Sequence, residues 1–375
     1  MIFIFDHMRM NAIHKMTIIS LARGVPIHAM MPVDLLARSS QLALEENSQA
    51  ALPYGSVYGY EPLRQWLAQH NDCAADRIII GNGSMNLIAN WAQHYIHPGD
   101  YVLVESPTYD RALTILRSLG AQVIGLEQHS DGIDPDELAA YIKQYRIKMA
   151  YLIPDFNNPS GVSTSDEKRR AIAQLAQQHD FMIVEDGAYS SLRYVGERIP
   201  PIRHYAPEHT VSTGSFSKLL APGLRTGWMV MPENRTQEFA TFLLNTYISP
   251  NQFAQATIAK AVTSDEFGPH LAYLHKTYLH LLNLTQAALT DQLAPLGVTW
   301  TQPEGGFFIG LHLPPTKKPI WDVASDYGLQ LVNGDAFFAL PKPTNFVRLP
   351  FCSLTENEVN EGVERLARAV ADTLA

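Results

Sequence analysis

The chain has 375 residues, 46% of them hydrophobic and 17% charged, which is ordinary globular composition and too long for one small core; two or three packed units are expected. Basic residues number 28 against 37 acidic ones, giving a net charge of −9 with no long block of one sign, which argues against a nucleic-acid or anionic-membrane surface. The two cysteines, Cys73 and Cys352, stand far apart and outside any C-x-x-C spacing, so a disulfide framework and a zinc ribbon are excluded.

The apolar start at Met1–Phe5 breaks at Asp6 and His7, short of a signal-peptide core, and nowhere do the roughly 18 apolar residues of a membrane helix follow one another. A cytoplasmic protein without a membrane span is expected. Residues 1–51 are too few for a domain and are expected to form an arm joining a smaller unit. From there, short β-rich runs alternate with longer amphipathic ones. The runs Arg77–Ile80, Tyr101–Glu105, Ala121–Leu126, Met149–Pro154, Phe181–Asp186 and Val211–Ser215 read as strands. Arg111–Leu119, Asp134–Tyr145 and Asp166–Gln178 repeat apolar residues at three and four positions and read as crossover helices. This alternation predicts an α/β fold with a large, mostly parallel sheet over residues 52–265. The Pro-free stretch His270–Leu293 reads as a long connecting helix. Beyond it, strands Gly306–Leu313 and Phe346–Pro350 mix with helices Ile320–Tyr327 and Glu356–Thr373, predicting a smaller α+β domain over 266–375.

Ligands of an open parallel sheet collect at the carboxyl ends of its strands, so the residues just after each strand carry the chemistry. Gly81-Asn82-Gly83-Ser84 follows a strand and opens a helix, where backbone N–H groups either hold an anion or simply turn the chain. It is neither a dinucleotide fingerprint nor a P-loop, since Asn86 stands where a third glycine would fall and no Gly-Lys-Ser/Thr follows. Asp186 puts a carboxylate at the rim of a buried sheet, either as a helix N-cap or as the partner of a pyridinium N–H. In Ser215-Phe216-Ser217-Lys218 the S-x-x-K spacing of penicillin-recognising enzymes is present without the Ser-Asp-Asn and Lys-Thr-Gly companions. The other possibility is a lysine that forms a Schiff base with an aldehyde cofactor, with Arg225 downstream for the cofactor's phosphate; a solvated surface lysine fits poorly among these small and apolar neighbours.

The ordered set Tyr54-Gly55, Gly83-Ser84, Pro107-Thr108-Tyr109, Asn158-Pro159-Ser160-Gly161, Asp186-x-x-Tyr189, Ser215-Phe216-Ser217-Lys218, Arg225-x-Gly227 and Arg348 resembles the class I/II aminotransferases of fold type I. The similarity runs from about residue 18 to the C-terminus, in the branch of 2-aminoadipate and kynurenine aminotransferases. It implies a pyridoxal-phosphate-dependent aminotransferase that passes the α-amino group of an amino acid to a 2-oxo acid in ping-pong half reactions. It also implies the roles. Lys218 carries the Schiff base and moves protons, Asp186 pairs with the pyridine nitrogen, and Asn158 and Tyr189 meet the phenolic oxygen. Tyr109 stacks on the ring. Gly83, Ser84, the backbone N–H of Met85, Ser215, Ser217 and Arg225 cradle the phosphate, with Tyr54 reaching in from the second subunit of a homodimer. Arg348 clamps the substrate α-carboxylate, beside Asn158 and Gly24.

Two departures from the pattern matter. Met85 stands where the family usually has glutamine, and Leu21-Ala22-Arg23-Gly24-Val25-Pro26 replaces an Ala-Gly-Gly-like run. Arg23 there either meets a distal carboxylate of an acidic substrate or is an exposed loop arginine. His94 and His97 share a spacing but no third ligand, so no metal is expected. Cys73, Cys352, Trp91 and Trp228 read as packing residues. A lyase, decarboxylase or cyclising synthase on the same scaffold is the alternative. An effector-sensing regulator is a more distant one, because its winged-helix domain would need more chain ahead of residue 18.

Overall fold

The computed structural model describes residues 17–340 and 344–374, so the reading of Met1–Phe5 lies outside the described residues. In chain order the first strands are β1 (Ile19–Ser20), β2 (Ile78–Gly81), β3 (Tyr101–Ser106), β4 (Gln122–His129), β5 (Gly132–Ile133) and β6 (Ile147–Leu152). They are followed by β7 (Met182–Asp186), β8 (Thr210–Ser215), β9 (Gly227–Val230), β10 (Thr299–Trp300), β11 (Phe308–His312), β12 (Leu329–Gln330) and β13 (Phe346–Pro350).

The large sheet has the order β2-β9-β8-β7-β6-β3-β4-β5. Its centre, β4-β3-β6-β7-β8, is parallel. From β3 the chain moves outward to β4, then returns to the other side of β3 as β6 and continues to β7 and β8. The crevice that this reversal opens lies at the carboxyl ends of β3 and β6, where an open α/β sheet binds its ligands. All four residues of β2 and all five of β7 are buried, as expected of strands covered on both faces.

Helices cover the sheet because their ends are chemically marked. Ser165 caps Asp166–His179 by accepting from the Lys168 N–H, and Asp134 caps Pro135–Gln144 with proline at the first helical position. Thr355 and Glu358 form a reciprocal capping box at the start of Glu356–Thr373. The helix Phe267–Gln292 links the large sheet to a three-stranded antiparallel sheet, β10-β11-β13. The N-terminal arm comes back to this region, since β1 pairs in parallel with β12 through Ile19 and Leu329. Ile19, Leu21, Leu274, Phe307, Val347 and Val363 share one core with Tyr189 and Leu219 from the large-sheet side. Among the described residues no helix is long and apolar enough to cross a membrane.

Several elements differ from the sequence reading. β9 runs antiparallel between β8 and β2, and its four-residue run is too short for a periodicity to register. The helix Val33–Ala51 is interrupted by the non-helical backbone of Asn47, which breaks its apolar repeat. The expected helix Ile320–Tyr327 divides into an α-turn, Ile320–Val323, and a 3-10 turn, Ala324–Tyr327, that ends at the left-handed Gly328. His97 lies past the end of the helix Ser84–Tyr95, and His94 turns to Glu238 at 3.1 Å.

The loop after β6 is fixed by a wholly buried arginine. Arg169 donates to the carbonyls of Pro154 (2.8 Å), Thr164 (2.9 Å) and Pro200 (3.2 Å) and to the Asp155 carboxylate (2.7 Å). It thereby ties both ends of the 154–164 loop to one helix. Breaking a buried pair from one side leaves the other charge uncompensated, so Arg169→Met is expected to cost about 3–5 kcal/mol. Urea unfolding checks this, and an unchanged midpoint would show that the loop is held by other means.

Candidate active site

Five strand ends converge on one cavity of about 370 Å³. β2 delivers Ser84 and Met85 through the turn at Gly83, and β3 delivers Tyr109. β6 delivers Asn158, β7 delivers Asp186 and Tyr189, and β8 delivers Ser215, Ser217 and Lys218. Arg225, from the turn before β9, and Val25 of the N-terminal arm complete the wall. A larger cavity of about 520 Å³ lies beyond β4, beside Glu127, Glu137 and His312. Size does not choose between the two; the lysine, the aspartate and the hydroxyl-rich turn all face the smaller one.

Lys218 is half-buried. Its Nζ donates to the carbonyl of Gly24 at 3.0 Å and lies 5.5 Å from the centre of the Phe307 ring and 5.7 Å from that of Tyr189. Desolvation pushes its ammonium below the ordinary lysine range, with the Arg348 charge adding to the effect and Cys352 and Asp186 opposing it. A neutral amine is thus easier to reach here than in water. Gly24 has to be glycine at this contact, because a Cβ on it would stand 2.2 Å from the Phe308 ring.

Asp186 ends β7 with its carboxylate buried and held by donors. The Tyr151 hydroxyl donates to Oδ2 at 2.7 Å, and Thr213 Oγ1 and the Ala188 N–H donate to Oδ1 at 3.2 and 3.3 Å. Burial raises its pKa, and these three donors and Lys218 pull it back. Beneath the neighbouring loop lies a second buried carboxyl. Glu105 accepts from the Ile153 N–H (2.8 Å) and from Asn157 Nδ2 (2.7 Å), and desolvation pushes it up to about 8. Asn157 also accepts from the Ser160 N–H and hydroxyl, so the carboxyl braces the turn that presents Asn158.

At the opposite end of the cavity, helix Ser84–Tyr95 starts with no side-chain cap, leaving the N–H groups of its first turn without helical partners. Ser215 and Ser217 are buried beside them. Gly83 has φ of +101°, and a Cβ there would stand 2.5 Å from Arg225 Nη2. Free N–H groups at the positive end of a helix, two hydroxyls and a guanidinium form a cup suited to a phosphate monoester.

Arg348 lies in β13, nine-tenths buried, with its guanidinium over the rings of Phe308 (4.7 Å) and Phe337 (5.0 Å). Nη1 donates to Asn158 Oδ1 at 3.0 Å and Nη2 to the carbonyl of Ala22 at 2.7 Å, whereas the buried Nε has no partner. Among the described residues no carboxylate lies within 4 Å of it. A buried cation without a counter-ion is costly, and this one is complementary to an anionic ligand.

The structure therefore brings together Ser84, Met85, Tyr109, Asn158, Asp186, Tyr189, Ser215, Ser217, Lys218 and Arg225, with Gly83 shaping the cup and Arg348 and Gly24 touching Asn158 and Lys218. Tyr54 is apart, 84% exposed on the surface. The Arg23 side chain is exposed and does not line the cavity; its carbonyl accepts from Ser353 Oγ. Tyr151, Thr213, Glu105 and Asn157 escaped the sequence reading. Tyr151 alone left a signal, as the one residue with a hydroxyl tip in the apolar run of β6.

The Aminotransferase class I and II family model matches residues 17–366. The chain is 31% identical to aromatic-amino-acid aminotransferase 1 of Thermococcus litoralis over 95% of this chain and 89% of that one. It is 29% identical to 2-aminoadipate transaminase of Thermus thermophilus, over 96% and 91%. Its structure resembles that of Pyrococcus horikoshii kynurenine aminotransferase in complex with PMP, with a TM-score of 0.91, 31% identity and coverage of 97% and 93%.

The cup gives a direct test. Gly83→Ala combines a left-handed backbone with a side chain aimed at Arg225, so affinity for a phosphate-bearing ligand is expected to fall at least tenfold, on the order of 1–3 kcal/mol. Equilibrium titration of the apoprotein with pyridoxal phosphate measures it; unchanged affinity would mean that the phosphate sits elsewhere.

Proposed function

The chain belongs to the class I and II aminotransferases, and from that premise we propose how its own residues share the work of a pyridoxal-phosphate-dependent amino-acid transamination. The bound cofactor supplies an aldehyde that an amine can capture and a conjugated ring that takes up the electron pair left when a Cα–H bond breaks. Lys218 is the amine that tethers it. With the cofactor bound, Lys218 would also hold and move the proton at the substrate Cα, a role that desolvation favours by making the neutral amine accessible. Asp186 accepts the ring N–H, Asn158 and Tyr189 face the phenolic oxygen, and Tyr109 covers a ring face. Gly83, Ser84, the N–H of Met85, Ser215, Ser217 and Arg225 hold the phosphate.

Arg348 takes the substrate α-carboxylate through two parallel N–H donors, beside Asn158. With the cofactor bound, this hold would orient the substrate so that Cα–H, and not the bond to the carboxylate, is the one broken, which would favour amino transfer over decarboxylation. The substrates are an amino acid and a 2-oxo acid. We assign the arm's part in binding to the backbone at Gly24, with Arg23 outside the first contacts. Residues 52–265 form the cofactor-binding unit in this reading, and 266–375 with the 1–51 arm the second. The protein acts in the cytoplasm as a homodimer, and the exposed Tyr54, with Leu52 beside it at 65% exposure, reaches the partner's phosphate cup.

The observation that carries this reading is that Lys218 and Asp186, from two separate strand ends, line one cavity while Arg348 of β13 reaches its Asn158 wall, with no carboxylate among the described residues to neutralise the arginine. Borohydride reduction of the loaded enzyme is expected to fix the pyridoxyl group on the peptide containing Lys218, and a tag on another peptide would overturn the assignment. Lys218→Ala is expected to fold normally and lose several orders of magnitude in turnover. Arg348→Lys keeps the charge but loses the fork, and its KM for the amino donor is expected to rise about tenfold or more in steady-state kinetics. Light scattering of the loaded enzyme is expected to give a dimer; a fully active monomer would remove Tyr54 from the site.

A further inference from the structure

The carboxylate of Asp186 is not held evenly. Two donors share Oδ1 at 3.2 and 3.3 Å, and one, the Tyr151 hydroxyl, binds Oδ2 at 2.7 Å. Both Tyr151 and Asp186 are buried, and nothing else donates to Oδ2 among the described residues. We propose that Tyr151 is a positioning residue for the transamination: its hydrogen bond to Asp186 keeps the proton shared with the cofactor on the ring nitrogen. This rests on the reading that Asp186 pairs with that nitrogen.

The argument is one of relative basicity. A proton between a carboxylate and a pyridine nitrogen sits on whichever is the stronger base in that environment. Burial makes the carboxylate a stronger base than in water, which favours a neutral acid and an unprotonated ring. Every donor to the carboxylate works the other way. The groups that face Asp186 are few: Lys218 from β8, Tyr151 from β6, Glu105 from β3, and Tyr109 and Tyr189 at the rim. Lys218 is the one cation among them, and its amine would be taken up in holding the cofactor. Glu105, if ionised, pushes in the unfavourable direction.

The load therefore falls on the neutral donors, and Tyr151 makes the shortest of these bonds. Desolvation and the adjacent Asp186 hold its phenol far above the ordinary tyrosine range, so it stays an O–H donor at any working pH. It also stands on the rigid centre of the parallel sheet, between β7 and β3, where the donor geometry cannot drift. A ring without its proton accepts an electron pair poorly, so the loss of this one hydroxyl should register on the chemical step and not only on affinity.

Tyr151→Phe removes the oxygen and keeps the packing. The enzyme is loaded with pyridoxal phosphate labelled with ¹⁵N in the ring, and the ring-nitrogen chemical shift is recorded for the wild type, Tyr151→Phe, Thr213→Val and Asp186→Ala. The expected result is a Tyr151→Phe signal displaced toward the unprotonated value, a smaller displacement for Thr213→Val, and the largest for Asp186→Ala. The rate of the half reaction with an amino donor should fall about tenfold in Tyr151→Phe, as for the loss of one hydrogen bond to a charged group. A Tyr151→Phe signal that coincides with wild type while Asp186→Ala moves would overturn the role of Tyr151 and leave that of Asp186 intact. No movement in Asp186→Ala would overturn the underlying reading of Asp186 itself. Thr213→Val carries the same test should Tyr151→Phe not fold, and an unmoved signal there counts against any control by donors to the carboxylate.

Discussion

Charge held out of water governs this molecule. Lys218 and Asp186 line one cavity and Arg348 stands against its Asn158 wall, the aspartate and arginine buried and the lysine half-buried, where each charge is costly to keep. None is neutralised by a close ion pair among the described residues; each is held by neutral groups instead. A phenol, a threonine hydroxyl and a backbone N–H serve the aspartate, and backbone carbonyls and one amide oxygen serve the two cations. Neutral partners stabilise a charge without cancelling it, so its field remains available to whatever enters. The fold supplies them because five strand ends meet at the point where the sheet reverses its order, with β13 and the N-terminal arm beside them.

That arrangement explains why so much rigid machinery lies behind the cavity. Asn158 can serve Arg348 only if its loop is fixed, and the loop is fixed twice. Arg169 ties its ends to a helix through three contacts, and Glu105 ties its middle through Asn157. Both anchors are buried polar groups, expensive to bury and therefore sensitive to any displacement of the partners that satisfy them.

How much of this can be read from the sequence follows from what is local. The runs at Tyr101, Met149, Phe181 and Val211 show themselves as strands because both their faces are buried, and their last residues point to the site because a parallel sheet binds at that edge. Lys218 and Asp186 stand out as charges where apolar runs end. The hydrogen bond between Arg348 and Asn158 joins residues 190 positions apart, and nothing local announces it. Tyr151 is hidden for a similar reason, since a tyrosine in a strand is ordinary and only the pairing of β6 with β7 sets it against Asp186. β9 is too short to carry a period. The turn at Gly83 reads equally as a bend or as an anion cup until the missing helix cap and the neighbouring Arg225 are seen together.

The arm that crosses the cavity has a thermodynamic consequence. The carbonyls of Ala22 and Gly24 already occupy donors of Arg348 and Lys218, so the resting protein satisfies its reactive cations with its own main chain. An incoming carboxylate is therefore exchanged for a peptide oxygen and never meets a bare guanidinium. Measured affinity is then the difference between two solvations of the same arginine, and the backbone at Ala22–Gly24 becomes a hidden variable in every binding constant.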